Sequence, residues 1–366
     1  MRKMSKLAAI ALSSALAIGT MSGCGNSKPE ETTKAAEAET EAAAEKTEAA
    51  QAEASGEAVT FSVTADVTGD RAPYVEEFAK LVEEKTEGRY KGNVIAAGSL
   101  GTGADAAQML QMGTLDILMS DDMTMDGVLD GALGFAWLPG LVADYDEADQ
   151  YYNHGWIAEK VGEIMEQNSL VRISSFCNGF RQLGNMKHPV TEMADLQGLK
   201  IRTPSVDSVV SFYEKCGALP VMISGSEVLN ALQTGTVDGL DNAVFNYTNQ
   251  GITDVITHIT ELNYCYSGGC FIAGTPFWET LSDSDKEIFK ECAQEASDDF
   301  TEFFRDKTEK LTQDGVESGQ WTVDQPSEDM KAALEDIYKE IWEESRGKYG
   351  DEIMDAIVNG DYKTES

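Results

Sequence analysis

Two arginines occupy apolar, strand-like surroundings in a chain that is otherwise strongly acidic. Arg181 directly follows the apolar segment 176–180, and Arg202 lies inside the segment 198–204. A guanidinium group presents a planar fork of N–H donors that matches a carboxylate through two parallel hydrogen bonds. Each arginine can therefore recognise an organic acid, or it can pair with an Asp or Glu of the chain itself. The residues alone slightly favour the second interpretation.

Residues that would support catalysis or metal binding are less convincing. The sequence has no G-x-S-x-G motif, and His154, His188 and His258 lack the spacing of an HExxH or Cys-His site. No Cys-x-x-Cys pair is present, which argues against a zinc or redox site. Acidic pairs are too frequent in this chain to single out a glycosidase. We therefore predict that the protein is not an enzyme and uses neither a cofactor nor a metal.

One glycine-rich segment imitates a dinucleotide-binding fingerprint. Gly101-Thr-Gly103-Ala-Asp-Ala106 lies between a predicted strand and a predicted helix, and Asp121 follows about twenty residues later. However, the third glycine of the fingerprint is Ala106, and the residues 98–100 separate the motif from its strand. We interpret the segment as a glycine-rich turn that leads into a helix.

Length and charge narrow the class of protein further. The 366 residues include 64 Asp and Glu against 28 Lys and Arg, a net charge of −36, and 42% are apolar. This composition is typical of a globular protein, and the length allows two or three domains. Nucleic-acid binding is not expected, because neutralising phosphates requires a basic surface.

The first 57 residues predict export and anchoring rather than a folded domain. Arg2, Lys3 and Lys6 precede an apolar run over residues 7–21. That run fits a signal peptide and is shorter than the ~20 residues of a membrane span. The run ends in Met21-Ser-Gly-Cys24, which resembles a bacterial lipobox. We predict a lipoprotein signal peptide over residues 1–23, lipidation of Cys24, and an extracytoplasmic protein anchored to the cell membrane.

The segment that follows Cys24 and the remaining cysteines lead to two simpler expectations. Residues 28–57 consist almost entirely of Glu, Ala, Thr and Lys, so residues 24–57 are predicted to form a disordered acidic tether. The five cysteines that remain are odd in number and irregular in spacing, which favours buried free thiols: Cys177, Cys216, Cys265, Cys270 and Cys292. A single bridge between Cys265 and Cys270 stays open as an alternative.

Beyond the tether, strand-like and helix-like segments alternate. Helical spacing is clearest over residues 73–86 and 104–112, and the short strand-like runs are 59–67, 93–97, 114–120, 170–176, 199–203, 218–223 and 236–240. This alternation predicts βαβ units and mostly parallel sheets. Ser282, with Asp285 three residues later, begins an apolar helical stripe of about thirty residues. Such a helix is long enough to cross two domains.

Several motifs occur in one consistent order along the chain. They are Gly98-Ser-Leu-Gly101, Gly113-Thr-Leu-Asp116, Leu138-Pro139, Gly179-Phe-Arg181-Gln, Asp195-Leu-Gln-Gly-Leu-Lys-Ile-Arg202-Thr-Pro204, Gly217-Ala-Leu-Pro-Val-Met222, Ser226-Glu-Val-Leu-Asn-Ala-Leu-Gln-Thr-Gly235 and Val237-Asp-Gly-Leu-Asp-Asn242. Together they resemble TRAP-transporter solute-binding proteins, the extracytoplasmic DctP-type family. The resemblance extends from about residue 58 to the end of the chain.

The resemblance implies an α/β fold of the Venus-flytrap, periplasmic-binding-protein-like kind, with two domains and a long helix that spans both. Domain I would comprise residues 58–178 plus about 268–307. Domain II would comprise residues 179–267 plus about 308–364. A ligand would bind in the cleft between the domains, and closure would be a hinge motion.

The resemblance also implies roles for individual residues. Arg202 would form the principal two-pronged pair with a substrate carboxylate, and Arg181 would add a second cationic contact. Asn242 would fix the carboxylate through its amide N–H group. Asp121 would accept hydrogen bonds from ligand hydroxyls, and Thr64 is a weaker candidate for the same role. The substrate would be a C4-dicarboxylate or a sugar acid, delivered by a monomer to an ion-gradient-driven TRAP permease.

Two departures from the family pattern concern the binding site. The family's Gln-Glu-Asn-Pro stretch reads Leu240-Asp-Asn-Ala243 here, which keeps the Asn and loses the Pro. The aromatic residue that precedes the Ser-Glu-Val run in some relatives is Gly225 here. We expect this glycine to open space on one wall of the site, which leans slightly toward a bulkier hydroxylated acid.

Three alternative functions stay open on the sequence. A sensory lipoprotein of the same fold would pass the ligand signal to a receptor. An ABC-type binding protein would share the cleft and the lipid anchor, without the Arg181, Arg202 and Asn242 signature. A surface enzyme would turn over the acid that it binds.

Overall fold

The computed structural model describes residues 58–67 and 69–364. The predicted signal peptide, the lipidated Cys24 and the acidic tether lie outside these residues. Within them, no helix combines the length and the apolar character that crossing a membrane requires.

The first β-sheet, sheet A, has six strands. They are β1 (Val59–Ala65), β2 (Tyr90–Val94), β3 (Ile117–Asp121), β4 (Leu170–Arg172), β5 (Phe176–Phe180) and β11 (Tyr266–Gly274). Their order is β2-β1-β3-β11-β4, and β5 also pairs with β11. In β1 the apolar side chains of Phe61 and Val63 are completely buried, as the period-two pattern of this strand predicts.

The second β-sheet, sheet B, also has six strands. They are β6 (Gln182–Asn185), β7 (Lys200–Thr203), β8 (Leu219–Met222), β9 (Gly239–Asn242), β10 (His258–Thr260) and β12 (Thr322–Asp324). Their order is β12-β10-β6-β9-β7-β8. Each sheet and the helices around it form one α/β lobe.

Helices cover the sheets and connect their strands. Their bounds are α1 (Ala72–Lys85), α2 (Gly103–Gln111), α3 (Asp122–Val128), α4 (Trp156–Glu166), α5 (Asp207–Lys215), α6 (Val228–Gln233), α7 (Asn246–Asn249), α8 (Thr275–Trp278), α9 (Asp283–Glu317) and α10 (Glu328–Asn359). Further short helical turns include Gly134–Trp137 and Ala148–Asn153. The last helix, α10, bends at Gly350.

The expectation of mostly parallel sheets is wrong, because both sheets are mixed. Five of the ten strand pairs in the described residues are parallel and five are antiparallel. The strand β11 runs antiparallel to β3 and β4 and lies between them. The chain reaches β11 from the second lobe. The strand β11 therefore runs through sheet A in the direction opposite to that of a strand placed by a βαβ crossover.

The chain passes between the two sheets three times. It leaves sheet A at Arg181, between β5 and β6, and returns over residues 261–265, between β10 and β11. The helix α9 makes the third passage, because it follows β11 of sheet A and leads to β12 of sheet B.

The long helix α9 confirms the prediction of a helix that spans both lobes. The hydroxyl of Ser282 caps it by accepting a hydrogen bond from the Asp285 amide at 3.2 Å. Phe289 and Phe300 then pack among aromatic residues of sheet A and α1. At the other end Gly315 lies directly against the Trp321 ring beside sheet B. One continuous helix therefore braces both lobes.

Candidate functional site

Arg202 lies near the carboxyl end of β7, a parallel neighbour of β9. Its Nε donates to the Ile223 carbonyl at 2.8 Å, and its Nη1 lies 3.5 Å from the Asp241 carbonyl. The residue is 6% exposed, and no carboxylate within the described residues forms an ion pair with it. Carboxyl ends of parallel strands meet at one sheet edge, where ligands of α/β proteins bind.

Burial makes this unpaired cation costly. Desolvation, followed by the positive charge of Arg181, lowers the pKa of Arg202 to about 10. The charged form still predominates at neutral pH. An incoming carboxylate would supply the missing counter-charge in a desolvated setting, where a hydrogen-bonded ion pair is strongest.

Arg181, by contrast, is paired within the chain. Its Nε binds the Asp241 carboxylate, and its Nη2 donates to the Asp241 carbonyl at 2.9 Å. Tyr213 and Tyr264 donate their hydroxyls to the other carboxylate oxygen of Asp241, at 3.0 and 2.7 Å. Although burial opposes the charged guanidinium, Asp241 raises the pKa of Arg181. The Nη1 of Arg181 has no hydrogen-bond acceptor among the described residues.

Asn242 follows Asp241 and belongs to a group of amide side chains. Its Nδ2 donates to Gln250 Oε1 at 3.1 Å, and its Oδ1 accepts from Asn246 Nδ2 at 3.1 Å. A Cβ atom added at Gly225 would lie 3.3 Å from Gln250 Nε2. At the position where some relatives have an aromatic residue, the neighbouring group here is therefore the polar amide of Gln250.

Asp121 lies in the other lobe, at the carboxyl end of β3. Its Oδ1 caps α3 by accepting from the Thr124 amide at 2.8 Å, and its Oδ2 accepts from Arg71 Nη2 at 3.2 Å. Arg71 also binds the buried carboxylate of Asp66 and donates to Asn178 Oδ1 at 3.2 Å. Asp121 is thus one acid of a buried network around Arg71.

The grouping of Asp66, Asp121 and Arg71 shifts the pKa of Asp66 and that of Arg71. Burial comes first in raising the pKa of Asp66, and the neighbouring charge of Asp121 raises it further. Burial opposes the charge on Arg71, but Asp66 and Asp121 together raise the pKa of this guanidinium. Arg71 therefore holds both carboxylates in place.

Thr64 is the most enclosed of the predicted site residues. It is 2% exposed, and its hydroxyl donates to the Ile95 carbonyl at 2.9 Å. The hydroxyl proton is thus committed to the backbone, and only the oxygen's acceptor capacity remains.

The structure groups the predicted residues into two sets. Arg202, Arg181 and Asn242 surround Asp241 in the second lobe. Asp121 and Thr64 stand on neighbouring strands, β3 and β1, in the first lobe. No hydrogen bond joins Asp121 or Thr64 directly to the Arg202 set within the described residues. Their roles toward a ligand remain predictions.

Sequence reasoning missed Arg71, Asp66, Asn178 and Gln250. A signal for Arg71 exists, because it occupies the N-cap of α1 without a capping side-chain bond. A cation at a helix N-terminus is unfavourable for the helix dipole, so an acidic partner is expected nearby. Asp66 and Gln250 carry no comparable local signal.

The alternative chemistries find no support in the described residues. The glycine-rich segment begins α2, and Thr102 and Asp105 form a reciprocal capping box there. This matches the expected turn into a helix. Cys177, Cys216, Cys265, Cys270 and Cys292 are all free and buried, as predicted. No group of three or more potential metal ligands occurs among the residues described.

Two α/β lobes, with three passages of chain between their sheets and, at the strand ends of one lobe, a cation without an ion pair among the described residues, define a two-lobed solute-binding protein. The sequence model for bacterial extracellular solute-binding protein, family 7, matches residues 61–348. The chain belongs to this family, the DctP family. It is a TRAP-type solute-binding protein of the extracytoplasmic space and not an enzyme.

Individual relatives agree with this assignment. A solute-binding protein of Chromohalobacter salexigens is 28% identical over 274 residues, covering 74% of this chain and 80% of its own. The C4-dicarboxylate-binding periplasmic protein DctP of Rhodobacter capsulatus is 26% identical over 282 residues, covering 76% and 84%. Neither match is to an ABC-type protein or an enzyme, so those alternatives are not favoured.

Solved structures show the same fold. A TRAP periplasmic solute-binding protein of Ochrobactrum anthropi has a TM-score of 0.76 at 26% identity, covering 84% of this chain and 95% of its own. A C. salexigens TRAP protein solved with bound D-glucuronate has a TM-score of 0.73 at 24% identity, covering 83% and 100%. These matches confirm the predicted two-domain α/β fold.

Proposed function

We propose that this protein captures an organic carboxylate between its lobes, with Arg202 as the residue that pairs with the carboxylate. The observation that carries the proposal is the contrast between two neighbouring arginines. Arg181 has Asp241 as its counter-charge, whereas Arg202 is buried without one among the described residues. The ligand supplies that counter-charge.

The other site residues complete the recognition. The free Nη1 of Arg181 and the amide of Asn242 contact the same carboxylate from the Asp241 side. Asp121 accepts hydrogen bonds from ligand hydroxyls, with Thr64 in a lesser role. Gln250 lines the wall beside Gly225 and favours a hydroxylated acid over a purely apolar one.

The names of similar proteins support this class of ligand. The R. capsulatus relative is named for C4-dicarboxylates, and similar structures hold D-glucuronate, galactonate and succinate. We favour a sugar acid or a C4-dicarboxylate for the present chain. The polar wall around Gln250 leans toward the sugar acids.

Delivery completes the function. The loaded protein, a monomer anchored through a lipid on Cys24, passes its ligand to a TRAP permease driven by an ion gradient. The acidic segment 24–57 serves as the tether. The domain boundaries proposed from the sequence, 58–178 plus about 268–307 and 179–267 plus about 308–364, place Arg202 in domain II.

A thermal-shift screen of the purified full chain tests the proposal. A ligand that binds the native state far above its dissociation constant raises the unfolding temperature. We expect D-glucuronate, galactonate or succinate to raise it, and the Arg202→Ala variant to lose most of the shift. Shifts with neutral sugars or peptides, and none with any acid, would reject the carboxylate assignment.

A further inference from the structure

A cavity of about 500 Å³ lies where the three passages between the sheets come together. Phe180 and Gln182 line it from the first passage, Asn263 lines it from the second, and Arg305 lines it from α9. This volume falls in the range of small-molecule sites, roughly 300–1,000 Å³. The cavity is therefore large enough for a ligand, and the three passages between the sheets form its walls.

This cavity, which we call the hinge cavity, is separate from the Arg202 site. Its lining includes none of Arg202, Asn242, Asp121 and Thr64. Phe180 and Gln182 flank Arg181 in the sequence, and successive side chains of an extended chain point in opposite directions. Arg181 turns toward Asp241, so the hinge cavity occupies the reverse face of the same passage.

Arg305 gives the hinge cavity an uncompensated positive charge. Its Nε is buried and has no hydrogen-bond partner within the described residues, and no carboxylate there forms an ion pair with it. Its guanidinium carbon lies 4.7 Å from the centre of the Tyr145 ring. A partly buried guanidinium with an unused donor is costly, and a carboxylate is the group that best satisfies it.

Glu261 gives the same cavity an uncompensated negative charge. It is partly buried, and the neutral Gln325 donates to its carboxylate at 2.5 Å. No ion pair joins Glu261 to Arg305 or to another cation of the described chain. The exposed carboxylate of Glu309 also lines the cavity and accepts from Gln313 Nε2 at 2.9 Å. A cavity that presents the cation Arg305 beside acidic groups, none of which forms an ion pair with it among the described residues, is complementary to a ligand that carries both charges.

We propose that the hinge cavity binds a small zwitterion, with its carboxylate on Arg305 and its ammonium group on Glu261. A ligand held there contacts all three passages, whose backbone must move when the lobes open or close. Its occupancy therefore shifts the lobe equilibrium and alters carboxylate affinity at the Arg202 site. By linkage the carboxylate changes zwitterion affinity by the same factor.

Thermal shift and calorimetry on the full chain test this site. The probes are glycine, β-alanine and 4-aminobutyrate, which differ in the separation of their two charges, with acetate and methylammonium as singly charged controls. We expect at least one zwitterion to raise the unfolding temperature of the wild type and of Arg202→Ala equally. The Arg305→Gln variant should lose the effect, and Lys310→Gln, an exposed position on the same helix, should keep it.

A second variant separates zwitterion recognition from simple anion binding. Glu261→Gln should bind acetate and the best zwitterion with similar affinity, while circular dichroism shows whether each variant is folded. At saturation, the zwitterion should change the Kd of the carboxylate ligand by about fivefold or more.

Any one of several results would overturn the proposal. These are the absence of a shift with every zwitterion, an equal shift with acetate in the wild type, a shift that survives Arg305→Gln, or an unchanged carboxylate Kd. A shift that disappears in Arg202→Ala would place the zwitterion at the main site and also overturn it. Failure at Arg305 would leave carboxylate capture by Arg202 intact, so the two proposals fail separately.

Discussion

Arg181 and Arg202 donate to the same main-chain carbonyl, that of Asp241, at 2.9 and 3.5 Å. Only Arg181 also binds the Asp241 carboxylate. Two guanidinium groups thus share one buried acid unequally. Among the described residues Arg202 therefore has no carboxylate of its own, and under the proposed function the ligand supplies one.

Replacing Arg202 should abolish tight binding. We expect Arg202→Ala to weaken carboxylate affinity at least ~10²-fold, which is a loss of about 2.7 kcal/mol of binding free energy. Isothermal titration calorimetry measures this affinity. Arg202→Lys should also weaken it, because an ammonium group lacks the planar fork. Lys200→Ala, an exposed position on the same strand, is the control. Wild-type affinity in Arg202→Ala would rule out its assigned role.

Carboxylate binding should be insensitive to pH up to the pKa of Arg202 and fall above it. That pKa is lowered to about 10 by burial and by Arg181. The bound carboxylate requires the protonated guanidinium, so affinity should drop about tenfold per pH unit above pH ~10. Calorimetry from pH 7 to 11, with circular dichroism to monitor the fold, measures this. A constant Kd up to pH 11 would contradict it.

Neutralising Asp241 should destabilise the fold. Asp241→Asn leaves the buried Arg181 without its counter-charge and disturbs the hydroxyls of Tyr213 and Tyr264. We expect the free energy of unfolding to fall by about 3–5 kcal/mol in urea titrations. Asp314→Asn, which breaks an exposed pair with Lys310, should change it by less than about 1 kcal/mol. Equal effects in both variants would show that burial of the Asp241 pair is unimportant.

A methyl group at Gly179 should strain the first passage between the lobes. Gly179 has φ +85°, and an added Cβ would lie 2.6 Å from the Phe304 ring. We expect Gly179→Ala to cost about 2–4 kcal/mol of unfolding free energy, from backbone strain and overpacking. Gly235→Ala has a similar φ of +70° with open space around it, and isolates the backbone contribution. If both variants lose the same stability, contact with Phe304 contributes nothing.

Gln250 should decide between hydroxylated and unsubstituted acids. Its amide accepts a hydrogen bond from Asn242, and its Nε2 would lie 3.3 Å from a Cβ atom added at Gly225. We expect Gln250→Leu to weaken galactonate or D-glucuronate binding about tenfold, the value of one buried hydrogen bond. Succinate binding should change by less than about threefold. Equal losses for both classes of acid would assign Gln250 a purely structural role.

The sequence by itself determined the features that depend on local chemistry. Ser282 and Asp285 predict the start of the long helix because capping uses neighbouring residues, and the structure begins α9 there. The period-two pattern of β1 and the turn into α2 at Thr102 follow from the same short-range physics. The ordered motifs around Arg181 and Arg202 were enough to indicate the family.

Only the tertiary structure decided which charges pair. The sequence offers dozens of acids to each arginine, and Asp241 meets Arg181 because β9 and β6 are neighbours in sheet B. The same packing leaves Arg202 without an ion pair in the part of the chain that the structure describes, brings Arg71 between Asp66 and Asp121, and turns Gln250 toward Gly225. The mixed strand directions also escaped prediction, since the return of β11 depends on contacts distant in sequence. Interactions between residues close in sequence determine where helices and strands form, whereas the pairing of buried charges depends on which helices and strands become neighbours in the fold.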